Sequence, residues 1–118
     1  MSDSGMFGPE GLLGGSCGGC GRRHFPLAEW CPWCGTAEPA TVRLSTHGTL
    51  WSWTTVLAAP PGYTGPVPFG FGVVELPEDG LRIVTHLTET EGLEAGRDMT
   101  YTVVSLDTDH STWAFRPL

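Results

Sequence analysis

The sequence predicts a mostly β protein in two parts, a small cysteine ribbon followed by a closed antiparallel barrel. Three observations predict it. All four cysteines fall in two C-x2-C pairs near the N-terminus, Cys17/Cys20 and Cys31/Cys34. From Val42 onward, short β-type runs alternate with turn residues and no amphipathic helical period intervenes. The 118 residues leave room for one ordinary domain plus an appendage too small to fold on apolar burial alone.

Residues 1–16 are glycine-rich, with one apolar cluster at Phe7, Leu12 and Leu13. They read as a flexible leader, with a single helical turn expected near Pro9 to Leu13, or as a docking segment for a partner. The leader carries neither a basic n-region nor an apolar h-region, and no run reaches the roughly 20 apolar residues that span a bilayer. A cytoplasmic protein without membrane association is therefore expected, and in that compartment paired cysteines are more often metal ligands than disulfides.

Residues 17–40 form the ribbon. Ten residues separate Cys20 from Cys31 in the knuckles Cys17-Gly18-Gly19-Cys20-Gly21 and Cys31-Pro32-Trp33-Cys34-Gly35. Two residues between cysteines let both sulfurs face one point from a tight turn, and two such turns supply a tetrahedral set of soft ligands. The glycine after each pair permits positive φ, so that backbone N–H groups can point at the thiolates. Zinc is the expected ion and iron the competitor, since an all-thiolate site accepts either. Four cysteines close the site, so the metal is expected to be structural. His24, between the knuckles, is expected at the surface or in a hydrogen bond, and Trp30 and Trp33 to cover the site or pack on the barrel.

Residues 41–118 form the barrel. Thr49 to Leu57 alternates, with Trp51, Trp53, Thr55 and Leu57 expected on one face. Gly70 to Leu76, Leu81 to Leu87, Met99 to Leu106 and Thr112 to Phe115 follow as strands. Pro77-Glu78-Asp79-Gly80 signals a hairpin turn, and Asp107-Thr108-Asp109 a second tight reversal. A five-stranded OB-type barrel suits this length, with an SH3-like barrel as the alternative. Between the first two barrel strands, Ala58 to Phe69 contains four prolines and two glycines. Prolines pre-set the backbone, so this loop can present Tyr63, Val67 and Phe69, beside Trp53, to a substrate or partner at reduced entropic cost. It can equally be a plain crossover that caps the barrel.

Charge narrows the functional classes. Thirteen acidic residues face six basic ones, all arginine, for a formal net charge of −7. Such a chain offers little to a phosphate backbone, although Trp51, Trp53 and Phe69 could stack on bases in an OB-type single-strand binder. No catalytic constellation emerges. There is no cysteine beyond the ribbon and no lysine; His47, His86 and His110 are dispersed, and alternation turns Glu75 outward. Activity of the chain alone is not expected. A rubredoxin-like electron carrier is a further alternative.

Several segments together resemble a known family: the two knuckles, the step Phe25-Pro26, the strand Gly48-Thr49-Leu50-Trp51-Ser52-Trp53-Thr54, the run Gly72-Val73-Val74-Glu75-Leu76 and the end Phe115-Arg116-Pro117. The chain resembles the zinc-ribbon OB-fold proteins that accompany thiolase-like enzymes and bind acyl-CoA. The resemblance implies an accessory subunit whose barrel sits against a thiolase-like partner and helps form the channel for a CoA thioester. A retro-aldolase acting on steroid-type side chains is the implied partner, with an acetyl-CoA acetyltransferase or thiolase as the alternative. Relatives usually carry a longer N-terminal helix, which the short glycine-rich leader here does not match.

Overall fold

The computed structural model describes residues 7–118, and all nine elements among them are strands. The first four are short: β1 (Phe7–Gly8), β2 (Gly11–Ser16), β3 (Arg23–His24) and β4 (Ala40–Arg43). They form a small sheet in which β2 pairs antiparallel with β1, β3 and β4. The helical turn expected near Pro9 to Leu13 is instead a hairpin, with Phe7 opposite Leu12 and Gly11 at φ 141°. Leu12 explains the outcome. It is 1% exposed and belongs to the same apolar cluster as Leu50, Met99 and Phe115. An extended strand delivers that side chain to the core while β2 supplies a template for β3 and β4. The rest of the expected leader, residues 1–6, lies outside the described residues.

The remaining strands are β5 (His47–Val56), β6 (Phe69–Leu76), β7 (Leu81–Leu87), β8 (Asp98–Ser105) and β9 (Ser111–Pro117). They close into a barrel in the order β5-β6-β7-β9-β8, with β7 and β9 parallel and all other pairs antiparallel. This is the five-stranded Greek-key closure of an OB-fold. Strand β4 pairs with β2, so the ribbon sheet extends to Arg43 and the barrel strands begin at His47.

The register of β5 departs from simple alternation. A bulge between Leu50 and Ser52 leaves Trp51 without a partner on β6. Leu50 is buried and Trp51 is 52% exposed, whereas Trp53, two residues on, packs against the core. The two tryptophans therefore do not share a face as the alternation predicts. A bulge inserts one residue and reverses the side-chain phase beyond it.

Alternation in β6 is regular, with an unusual content. Its inward positions are Gly70, Gly72, Val74 and Leu76, and its outward positions are Phe69, Phe71, Val73 and Glu75. Sterics force small residues inward at one end. A Cβ on Gly72 would lie 2.3 Å from the Ser52 carbonyl oxygen, and one on Gly70 would lie 2.1 Å from that of Glu89.

Ribbon sheet and barrel share one core. Leu12 and Leu44 join the barrel residues, and Trp113 on β9 receives Phe7 and Phe25 at centroid distances of 5.7 and 5.5 Å. The Tyr101 hydroxyl donates to the Gly8 carbonyl at 2.7 Å. A polar latch completes the junction. Asp79, whose side chain is 1% exposed, pairs with Arg23 of β3 and accepts a 2.7 Å hydrogen bond from the backbone N–H of Ser45. It sits in the β6–β7 turn that Pro77 and Gly80 signal in the sequence. That turn therefore also ties the ribbon and the interdomain segment to the barrel.

Candidate metal centre and barrel-end aromatic cluster

The two knuckles repeat one design. In the first, Cys17 N–H donates to Arg22 O at 3.0 Å and Gly21 N–H to Cys17 O at 3.0 Å; in the second, Cys31 N–H donates to Thr36 O at 2.8 Å and Gly35 N–H to Cys31 O at 2.9 Å. Gly21 and Gly35 both adopt positive φ, 76° and 81°. The conformation is open to glycine without a Cβ penalty, and it turns amide groups toward sulfur. Gly19 N–H lies 3.2 Å from the Cys17 sulfur, and Trp33 N–H 3.4 Å from the Cys31 sulfur.

The four Sγ atoms all lie within 4.8 Å of one another. Cys17 and Cys34 approach to 3.5 Å, Cys20 and Cys31 to 3.7 Å. These separations are far from the ~2.05 Å of a disulfide. They match the edge of about 3.8 Å that a tetrahedron of sulfurs has around an ion at ~2.3 Å. The residues present therefore fit a tetrathiolate metal ion, and the donor set suits zinc or iron. Four protein ligands complete the tetrahedron and leave no position for water or substrate. The polypeptide favours thiolate at some of the four sulfurs and not at all of them. Hydrogen bonding from the Cys20 backbone N–H, with that of Gly19, lowers the Cys17 thiol to about 6. At Cys20 the Arg22 backbone hydrogen bond is outweighed by burial and the neighbouring cysteine sulfurs, which push the thiol up to about 11. At Cys34 the Thr36 hydroxyl, 3.1 Å away, lowers the thiol.

Around this centre little else is buried. Within residues 17–39 only Cys17, His24 and Cys31 are buried. His24 is not at the surface. Its ring lies against Gly15, where a Cβ would fall 2.3 Å from it, and its Nδ1 is 3.1 Å from the Pro26 carbonyl oxygen. Trp30 and Trp33 are exposed, at 61% and 56%; Trp33 carries the Arg22 guanidinium 4.9 Å from its ring centroid. Apolar packing thus contributes little to the fold of the ribbon.

A second grouping lies at one end of the barrel. Tyr63 of the proline loop, Phe69 and Phe71 of β6, and His86 of β7 stack in one cluster. The His86 ring lies 4.9 Å from Phe69 and 5.8 Å from Tyr63. Burial lowers the His86 pKa below its ordinary 6.5. The Tyr63 hydroxyl donates to Pro66 O at 2.8 Å and rigidifies the loop from within. Beneath the loop is a mostly apolar cavity of about 210 Å³, bounded by Pro68, Leu87 and Leu106 among others. Tyr63 and Phe69 thus pack against each other. Val67 projects from the loop, 44% exposed, and Trp53 turns toward the core. Sequence reasoning missed the contribution of His86; its alternation with Thr85 and Leu87 along β7, in phase with Val84, was the signal for its place on the outer face.

Glu75 pairs with Arg82 at 3.4 Å, and His110 is held by Asp107 at 2.9 Å within the β8–β9 turn. No helix among the described residues is long and apolar enough to cross a membrane.

Residues 41–104 match the model of the C-terminal OB-fold domain of ChsH2. The chain belongs to that family. A DUF35 domain-containing scaffold protein of Methanocaldococcus jannaschii is 32% identical over 79 residues, 66% of this chain and 55% of the relative. The benzoylsuccinyl-CoA thiolase subunit BbsA of Thauera aromatica is 36% identical over 81 residues, 69% of this chain and 54% of the relative. The chain therefore spans about half the length of these curated relatives. Among solved structures, the Ltp2-ChsH2(DUF35) aldolase superposes with a TM-score of 0.72 at 27% identity, covering 90% of this chain and 84% of that one. A DUF35-family protein of unknown function from Sulfolobus solfataricus shares the fold, with a TM-score of 0.59 at 15% identity over 90% of this chain and 75% of its own.

Proposed function

We propose that this chain is an accessory subunit of a thiolase-like enzyme acting on acyl-CoA, with one structural zinc ion in its ribbon. The observation that carries the reading is the likeness to the Ltp2-ChsH2(DUF35) aldolase over nine-tenths of the chain. It favours a retro-aldolase partner, with a steroid-type side-chain CoA thioester as the finer reading. The likeness to BbsA favours a second, a carbon–carbon-cleaving thiolase.

Physical chemistry supports a divided task. With six cations against thirteen anions, the chain is poorly equipped to hold the phosphates of CoA. Its partner supplies those contacts, while the proline loop with Tyr63, Val67 and Phe69 walls the apolar part of the thioester. The closed metal site folds the ribbon and takes no part in chemistry. The acidic balance weighs equally against the OB-fold single-strand nucleic-acid alternative. Co-expression with the thiolase-like protein encoded nearest to it is the test. Co-elution as one complex is expected; separate elution at micromolar concentration contradicts the reading.

A further inference from the structure

The outer face of β5, β6 and β7 breaks the usual rule for a half-solvated sheet. Antiparallel sheets with one wet face place polar residues outward. Here β6 sends its glycines into the barrel and Phe69, Phe71 and Val73 out. The register aligns Ser52, Val73 and Val84 in one row across the three strands, and Thr54, Phe71 and His86 in the next. Val84 is 56% exposed, and Trp51 stands out at the bulge.

Charge is nearly absent from this face. Of the 19 acidic and basic residues in the chain, β5, β6 and β7 carry only Glu75 and Arg82. Those two pair with each other at the edge of the face, and the Arg82 guanidinium lies 4.3 Å from the centre of the Trp51 ring. Acidic residues gather just outside, with Glu78 after β6 and Glu89 and Glu91 after β7. An uncharged apolar centre with a charged rim is the layout of a protein interface. In OB-folds that bind oligonucleotides, the second and third strands serve that purpose. The corresponding strands here, β6 and β7, offer only a cation already committed to Glu75 and Trp51.

We infer that this face docks onto an apolar patch with a basic rim on the larger, thiolase-like protein. The inference rests on the proposed function and adds the surface to it. A second copy of the chain is the poorer occupant, because each copy brings a net charge of −7 and the same acidic rim.

Affinity for the co-expressed partner, measured with zinc-loaded full-length chain, tests this. Thr54→Lys and Val84→Lys place a cation in the centre of the face at exposed positions. Val103→Lys does the same on β8, outside it. Zinc content and circular dichroism establish that each variant is folded. Weakening of about tenfold or more by Thr54→Lys and Val84→Lys, with Val103→Lys within about twofold of wild type, is expected for a hot-spot surface. Unchanged binding by both central variants overturns the inference and leaves the proposed function standing. Failure of the wild type to bind overturns the proposed function and this inference with it. A dimer of the isolated chain that Val84→Lys dissociates overturns the choice of partner.

Discussion

Two residues outside the metal site decide how the parts hold together and respond to pH. Asp79 holds the ribbon through Arg23 and the interdomain segment through the Ser45 N–H. Replacing it with alanine leaves that N–H and a half-exposed guanidinium without their acceptor. A loss of about 2 kcal/mol in urea unfolding is expected, with Arg23→Ala costing less because Arg23 is the exposed partner. His86 gives the pH dependence. Burial among Tyr63, Phe69 and Phe71 lowers its folded pKa, so the unfolded chain takes up its proton first as pH falls. Its contribution is fully present above 6.5 and is lost as pH falls from there through the lower folded value. Wild-type stability should therefore decline on acidification from pH 7 to 5 more steeply than that of His86→Phe, which keeps the stack and cannot titrate.

At the scale of elements, the ribbon and β6 make contrasting demands. The ribbon has only three buried residues between 17 and 39, so on the proposed reading the ion supplies what packing does not. Chelation should release the knuckles, seen as loss of chemical-shift dispersion for Cys17 to Cys34, while the barrel strands keep theirs. In β6 the limiting quantity is space. Gly72→Ala pushes a methyl to within 2.3 Å of Ser52 O on the neighbouring strand. A loss of about 2 kcal/mol or more in thermal unfolding is expected. These elements also mark what the sequence can reveal. The knuckles were legible because metal ligation demands fixed residue types at fixed spacing. The barrel strands were legible from alternation and turn residues. The bulge at Trp51 was hidden because alternation carries no marker where its phase slips. The β1–β2 hairpin was hidden because glycine-rich sequence has weak strand preference of its own, and the other partners of β2, strands β3 and β4, are remote in sequence. Asp79 read as a turn residue for the same reason: its partners, Arg23 and Ser45, are remote in sequence.

At the scale of the molecule, one core joins a ribbon with four convergent cysteines to a barrel whose outer sheet face is apolar. The loop from Ala58 to Phe69 and the face of β5, β6 and β7 adjoin through Phe69 and His86. One partner can thus cover the sheet face while the loop borders its substrate. The central claim is that this chain works only within a complex with a thiolase-like enzyme. Turnover of an acyl-CoA thioester by that enzyme, assayed with and without the zinc-loaded chain and alongside the chain alone, tests it most directly. Activity is predicted for the complex and only background for either component; full activity of the enzyme by itself, or turnover by the isolated chain, would contradict the claim.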